Sequence, residues 1–385
     1  MKNINLFEPS FGPEEVQAVS SVMLSNWTGR GSKVRELEGE FAKFFSVESN
    51  LLTTTTCATE GVFAIFDVIN LNQNDEVIIP TNSFVGIATA IKYFNASIIF
   101  CDTDPNTLQA KPDELLSKVT SKTKAVVLNH YGGYASCTSD LINELNSRGV
   151  IVIEDAACAF GATLPNSPKH FLGTLGDFGV WSFDSMKLIS MGDGGLIYSK
   201  SPEITEKIAR RNYFGLSGEG VSGFASASTN RKTWWEFNVE YPGRRAILND
   251  LIASIGLVQL SKHKILVEKR RAIVTKYIEL LSNMEAIKGI NFQRVDVSVS
   301  PYLFWIQVEN RDDLANYLLK NGVYTSFRYL PLHKQTFFMS KDLKTSLFSG
   351  ADWSNERTLN LPLHANLEIS DVENICQLIK TYLHR

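Results

Sequence analysis

The chain has little of what would place its 385 residues in several large classes. Cysteine is sparse: Cys57, Cys101, Cys137, Cys158 and Cys376 are odd in number, and no two stand close enough to form a metal knuckle. Free thiols in a reducing cytoplasm are therefore expected, and no metal site is. No run of about 18 apolar residues is present to span a membrane. The N-terminus, MKNINLFEPSFGPEEV, lacks an apolar stretch between a basic start and a cleavage site, which argues against a signal peptide. Basic residues form no stripe. The formal net charge is −3, and basic clusters are short pairs such as Arg210-Arg211, Arg244-Arg245 and Arg270-Arg271. Nucleic-acid binding is not expected on that pattern. Internal repeats and low-complexity segments are also missing.

What is present is ordinary globular composition, 44% hydrophobic and 21% charged, in a chain long enough for two or three domains. Gly12 to Phe45 reads as two helices about the break Asn26-Trp27-Thr28-Gly29-Arg30-Gly31; Pro13-Glu14-Glu15 starts the first, and Val34, Leu37, Phe41, Phe44 and Phe45 recur at helical spacing in the second. From residue 51 short apolar runs alternate with helix-like segments. Strands are predicted at Leu51–Thr54, Glu76–Ile79, Ser97–Cys101, Ala125–Asn129, Val150–Glu154, Gly179–Phe183 and Gly195–Ser199, several of them apolar throughout, as for strands covered on both faces. Helices are predicted at Ala58–Leu71, Val85–Phe94, Lys111–Lys118 and Ser139–Arg148. The alternation implies an α/β domain with a mostly parallel sheet. Residues 203–213 look helical, 214–247 irregular, and Leu248–Leu260 and Val267–Leu281 read as two further helices. The last hundred residues mix strands (Tyr302–Val308, Tyr324–Arg328) with helices (Arg311–Asn321, Ile369–Leu383), a smaller α+β domain. The expected division is 1–260 and 261–385.

Three segments at strand ends could carry chemistry, because parallel α/β folds place ligands there. Val152-Ile153-Glu154-Asp155 ends an apolar strand in two acids whose side chains point opposite ways. Alone, such an acid reads equally as a solvated strand end or a helix cap. Ser182 to Lys187, followed by Gly192–Gly195, runs a strand into an irregular segment holding one lysine. A lysine with a lowered pKa can form a Schiff base, although a lone lysine is ordinarily a surface residue. Thr53 to Gly61 brings small hydroxyl residues to a helix start, which suits a phosphate or simply an N-cap. In that order and spacing the three are the equipment for pyridoxal 5′-phosphate (PLP): a phosphate cradle, an acid for the ring nitrogen and a lysine for the aldehyde.

On these segments, with Asp75 to Pro80, Phe100 to Pro105, Asn249-Asp250 and Arg328 to His333, the sequence resembles the DegT/DnrJ/EryC1/StrS sugar aminotransferases over nearly its whole length. The resemblance implies a three-layer PLP-dependent transferase fold with a seven-stranded sheet, and a homodimer with shared active sites. It implies Lys187 as the cofactor-linked lysine and proton shuttle, and Asp155 as the partner of the pyridine nitrogen. Phe84 would stack on the ring, and Ala58, Thr59 and Ser182 would hold the phosphate. Trp27 and Thr28 would line the substrate side. The sequence departs from the family at Cys57, where glycine is usual, and at Cys158, where glutamine or histidine would approach the ring hydroxyl. Arg244-Arg245-Ala246-Ile247 replaces a Tyr-Asn-Tyr-Arg segment, so that Arg245 would reach the phosphate of the neighbouring subunit. Arg328 replaces a histidine and would meet the donor carboxylate or the substrate diphosphate.

The implied reaction moves an amino group from L-glutamate to a nucleotide-diphospho-keto-6-deoxy sugar, dTDP-linked and at C4, with a 3-keto sugar as the near alternative. The product would serve a surface polysaccharide or a glycosylated metabolite. A sugar dehydratase of the same fold would carry histidine at position 187, and a non-catalytic relative would have lost Lys187 or Asp155. A nicotinamide dehydrogenase would show Gly-x-Gly-x-x-Gly after the first strand, where none stands.

Overall fold

The computed structural model describes residues 3–165, 167–216, 238–289, 293, 295–338 and 348–384. Helices α1 (Pro13–Leu24) and α2 (Ser32–Phe45) precede an alternating run: β1 (Leu52–Thr55), α3 (Ala58–Val68), β2 (Glu76–Pro80), α4 (Val85–Tyr93), β3 (Ser97–Cys101), α5 (Pro112–Ser117), β4 (Thr123–Asn129), α6 (Ser139–Ser147) and β5 (Ile151–Asp155). A hairpin of β6 (Thr163–Leu164) and β7 (Ser167–Phe171) leads to β8 (Phe178–Ser182), β9 (Gly195–Ser199) and α7 (Pro202–Arg211). The remainder is α8 (Asp250–Leu281), β10 (Phe304–Gln307), α9 (Arg311–Lys320), α10 (Ser349–Arg357), β11 (Thr358–Leu361) and α11 (Ile369–Leu383).

Seven strands form one sheet in the order β1-β9-β8-β5-β4-β2-β3. The ladders from β3 to β8 are parallel; β9 runs antiparallel to both β8 and β1. Alternate side chains of each strand enter different cores. Ile78, Val126 and Val152 pack with α2, α6 and α8, whereas Val77, Ile79, Val127 and Ile153 pack with α3 and α4. Apolar runs without alternation are thus explained: the sheet is covered on both faces. A third core joins α9, α11, β10, β11 and the end of α8, and takes in Ile4 from the chain start.

Two expectations differ. Leu248–Leu260 and Val267–Leu281 are one 32-residue helix, α8. Its apolar period lapses over Ser261–Lys264 because the helix there changes partners. Lys262 pairs with Glu14 and Glu15 of α1, and the His263 ring packs against Phe44 and Phe160. Leu266 and Val267 still belong to the sheet core, and Ile273 begins the next. The strand expected at Tyr324–Arg328 does not form. The Tyr324 amide donates to Ile4 O, and the Arg328 amide to the Asn360 side chain, so no continuous ladder is needed there. Of the irregular stretch 214–247, residues 217–237 lie outside the described residues.

The start of α8 also fastens α2. The carboxylate of Asp250, 3% exposed, accepts the amides of Gly31 (2.8 Å), Val34 (3.1 Å) and Lys33 (3.3 Å), groups that a helix N-terminus leaves unpaired. Asp250→Ala strands these buried donors, and the expected loss is about 1–3 kcal/mol, read as a lower thermal unfolding midpoint. An unchanged midpoint would show that α2 is held by its apolar face alone.

Candidate active site

The pleat of β5 separates its two terminal acids. Glu154, fully buried, accepts the amides of Gly173 (2.9 Å), Leu175 (2.7 Å) and Gly176 (2.6 Å) and faces His130 Nε2 at 2.8 Å. The other His130 nitrogen accepts the Ser136 amide, so Nε2 carries the proton and donates to Glu154. His130, Cys137 and Glu154 stand close enough to suggest a metal triad, but the carboxylate is already surrounded by four N–H donors. Glu154 is a fastener for the loop before β8.

Asp155 lies on the other side, toward the lysine. Its Oδ1 accepts the Ala157 amide at 3.1 Å. Burial raises its pKa, opposed by that amide, by Lys187 and by His130. Lys187 follows β8 in a turn closed by its own amide to Asp184 O (2.9 Å). Its Nζ is 3.6 Å from Cys158 Sγ and 4.7 Å from the centre of the Tyr302 ring. Desolvation works against the charged amine, but Cys158, Tyr302, Asp155 and Asp184 outweigh it and the pKa moves upward. This reverses the expectation of a lowered lysine pKa. Burial raises the Cys158 thiol and the Tyr302 phenol too.

A third part stands at the same rim. Ala58 and Thr59 are the first two residues of α3, capped by Cys57, whose sulfur accepts the Glu60 amide at 3.5 Å. The register places Thr55 opposite Gly195 and Gly195 opposite Ser182, a row across β1, β9 and β8 beside that helix start. A Cβ at Gly195 would sit 2.6 Å from the Cys57 carbonyl carbon and 2.8 Å from Ala58 N, so only glycine lets β9 meet the helix terminus so closely. Phe84 is the N-cap of α4, 43% exposed, with its ring near Gly86; Thr59 Oγ1 approaches the same glycine. Phe84 also meets Tyr329 edge-on at 5.9 Å.

The remaining expected residues divide. Arg328 joins the lysine region: its Nη2 lies 3.2 Å from the sulfur of Met186, and its guanidinium covers the Phe7 ring at 4.8 Å. Arg245 does not reach Lys187 within the chain. It is exposed, bridges Tyr213, and lies 5.8 Å over Phe214. Its neighbour Ala246 nevertheless accepts the Thr56 amide and the Thr55 hydroxyl, which ties this segment to the end of β1. Trp27 lines a cleft of about 730 Å³ with Arg30, Arg35, Glu38, Arg210 and Tyr213, and neither Lys187 nor Asp155 lines it. Thr28 lies beside Trp27 in sequence, and no hydrogen bond among the described residues ties either to Lys187. Residues that sequence reasoning missed are Tyr302, Tyr131, Tyr329 and Phe7, which gather around Cys158 and Lys187 from four distant segments. Tyr302 carries no motif, and its signal in the sequence is that of one more strand aromatic.

A lysine, a strand-end carboxylate and a helix terminus held on one rim of a mostly parallel sheet define an aminotransferase of the α/β type. The chain belongs to the DegT/DnrJ/EryC1/StrS aminotransferase family, which it matches over residues 9–380. It is 38% identical, over 97% of its length and 94% of the relative's, to dTDP-4-dehydro-2,3,6-trideoxy-D-glucose 4-aminotransferase of Saccharopolyspora spinosa. It is 26% identical to GDP-perosamine synthase of Escherichia coli O157:H7, over 99% of both chains. Among solved structures, the aminotransferase TlmJ of Streptoalloteichus hindustanus superposes with a TM-score of 0.90 at 36% identity, over 99% of each chain. The PLP form of Spr1654, a candidate sugar aminotransferase of Streptococcus pneumoniae, has the same fold, with a TM-score of 0.87 at 22% identity over 98% of each chain.

The raised pKa of Asp155 has a consequence in the cofactor-free protein. A carboxyl that holds its proton more tightly when folded stabilises the fold below its unfolded pKa, and that contribution is lost as pH rises through the folded value. Asp155→Asn removes this titration and its cost above the unfolded pKa, so the cofactor-free variant should unfold at or above the wild-type temperature at pH 7. PLP should then raise the wild-type midpoint more than the variant's. A cofactor-free variant clearly less stable at pH 7 would contradict this electrostatic reading.

Proposed function

We propose that this pocket holds PLP and transfers an amino group from L-glutamate to a nucleotide-diphospho-keto-6-deoxy sugar, at C4. The observation that carries the reading is the convergence of Lys187, Asp155 and the α3 terminus. These residues fit the cofactor: one amine for its aldehyde, one buried acid for its ring nitrogen, and a helix N-terminus with Thr59 and Ser182 for its phosphate. When bound, the cofactor supplies a protonated ring that accepts electrons from the carbon losing its proton.

The chain's own residues do the rest. Asp155, ionised once it faces a cation, keeps the ring nitrogen protonated. Lys187 Nζ would take the α-proton of the amino acid and return it at the carbon of the cofactor's aldehyde group, two bonds away; its flexible stem lets one base serve both positions. Phe84 covers the ring, and Cys158 adjoins its substituted edge. Arg328 takes the donor carboxylate or the acceptor diphosphate. Trp27 and Thr28 serve the acceptor from the adjoining cleft, and Arg245, exposed in the single chain, serves the phosphate of a neighbouring subunit in a homodimer with shared sites.

The name of the Saccharopolyspora relative supports a dTDP-linked acceptor and amination at C4. A 3-keto acceptor is the alternative. Lys187 opposes a dehydratase, for which histidine would be expected, and Lys187 with Asp155 opposes a non-catalytic role. The reading also places the protein in the cytoplasm; no helix among the described residues is long and apolar enough to cross a membrane. It divides the chain into a cofactor-binding part, 1–260, and a smaller part, 261–385; the third core is drawn from the later part except for Ile4.

Purified protein with PLP and L-glutamate should release 2-oxoglutarate in proportion to added dTDP-4-keto-6-deoxy sugar, with the amino sugar seen by mass spectrometry. Lys187→Ala should lower turnover by at least about a thousandfold. Turnover with 3-keto sugars alone would move the assignment to that carbon. No turnover with any keto-sugar nucleotide would reject the reading.

A further inference from the structure

Tyr302 is fully buried, yet its hydroxyl has no hydrogen-bond partner among the described residues, and its ring meets the amine of Lys187. The Lys187 Nζ stands 4.7 Å from the ring centre. Phe7 stacks on the same tyrosine at 5.2 Å with planes 9° apart, and the Arg328 guanidinium covers Phe7 in turn at 4.8 Å. The tyrosine is fixed from below by its amide, which donates to Gly132 O at 2.9 Å in a turn where Gly132 has φ +68°. It is therefore an aromatic face presented to the amine, which also lies 3.6 Å from the Cys158 sulfur.

An aromatic face attracts a cation through its quadrupole, and more strongly where water is excluded. A buried phenol placed for its hydroxyl would be expected to have a partner for it. Here the ring is the part of the side chain that meets the amine. The groups facing the amine are Cys158, Tyr302, Asp155 and Asp184; those facing the phenol are Lys187, Cys158, Arg328 and Arg270. Arg270 is 2% exposed and donates to Leu363 O, a second buried cation beside the same phenol.

We propose that Tyr302, braced by Phe7, is the seat of the Lys187 ammonium, both in the cofactor-free protein and when the released amine has taken up a proton. It is a positioning residue: it holds the released lysine within the pocket, next to Asp155, instead of letting a four-carbon stem sample solvent. The proposal rests on the reading of Lys187 as the cofactor-linked lysine for its purpose, but not for its geometry.

The test uses the full-length protein freed of cofactor, with folding checked by circular dichroism. Lys187 is acetylated with trace acetic anhydride across a pH series and quantified by peptide mass spectrometry against exposed Lys169. Tyr302→Phe should label within about twofold of wild type, since the ring is retained. Tyr302→Leu should label about fivefold faster at a fixed pH below the midpoint, with the midpoint itself moved down. Should Tyr302→Leu not fold, a series of phenylalanines of increasing ring fluorination at 302 keeps the shape and weakens the quadrupole, and the rate should climb along it. Equal labelling in wild type and Tyr302→Leu, or no climb with fluorination, would overturn the proposal. So would a Tyr302→Phe shift as large as that of Tyr302→Leu, which would assign the role to the hydroxyl. PLP binding is read separately by absorbance, so failure of the seat and failure of the cofactor reading give different results.

Discussion

The structure depends most on how one strand ends. Adjacent side chains of β5 leave on opposite sides, and the sequence places an acid on each. Glu154 turns toward a crowd of N–H donors and secures the loop that delivers β8. Asp155 turns toward a pocket with one protein amide on its Oδ1 and a lysine as its cation. The fastening acid positions the strand that carries Ser182 and, five residues on, Lys187. Two identical functional groups, one residue apart, thus receive a structural and a chemical role from the pleat alone.

The antiparallel strand β9 completes the arrangement. It brings Gly195 between Thr55 and Ser182 and presses the start of α3 against the sheet. The helix terminus, with its unpaired amides, is thereby set on the same rim as the lysine. Phe84 reaches that rim from α4, and Arg328 lies against Met186, the residue before Lys187.

Much of this was legible in the sequence because it follows from local rules. Unbroken apolar runs foretold strands covered on both faces, and Pro13 with the acids Glu14 and Glu15 foretold the start of α1. The proposed cofactor residues Lys187, Asp155, Ala58 and Thr59 were chosen from their order, and the structure sets them after β8, at the end of β5 and at the start of α3. What was not legible is what the order of strands decides. Nothing local says that β9 inserts between β1 and β8, or that α8 continues through Ser261–Lys264 as it passes from one core to another. The aromatic wall of Phe7, Tyr131, Tyr302 and Tyr329 was invisible for the same reason: its members lie up to hundreds of residues apart and each alone is ordinary core. Trp27, expected by resemblance on the substrate side, lines a cleft with Arg30 and Arg210 that neither Lys187 nor Asp155 lines.

The central claim is that Lys187 is the residue bonded to the cofactor. It is tested most directly by reducing the PLP-loaded protein with borohydride, digesting it, and locating the pyridoxyl group by mass spectrometry. The account predicts the modification on Lys187 and its disappearance in Lys187→Ala. A pyridoxyl group on another lysine, or none on protein saturated with PLP, would contradict it.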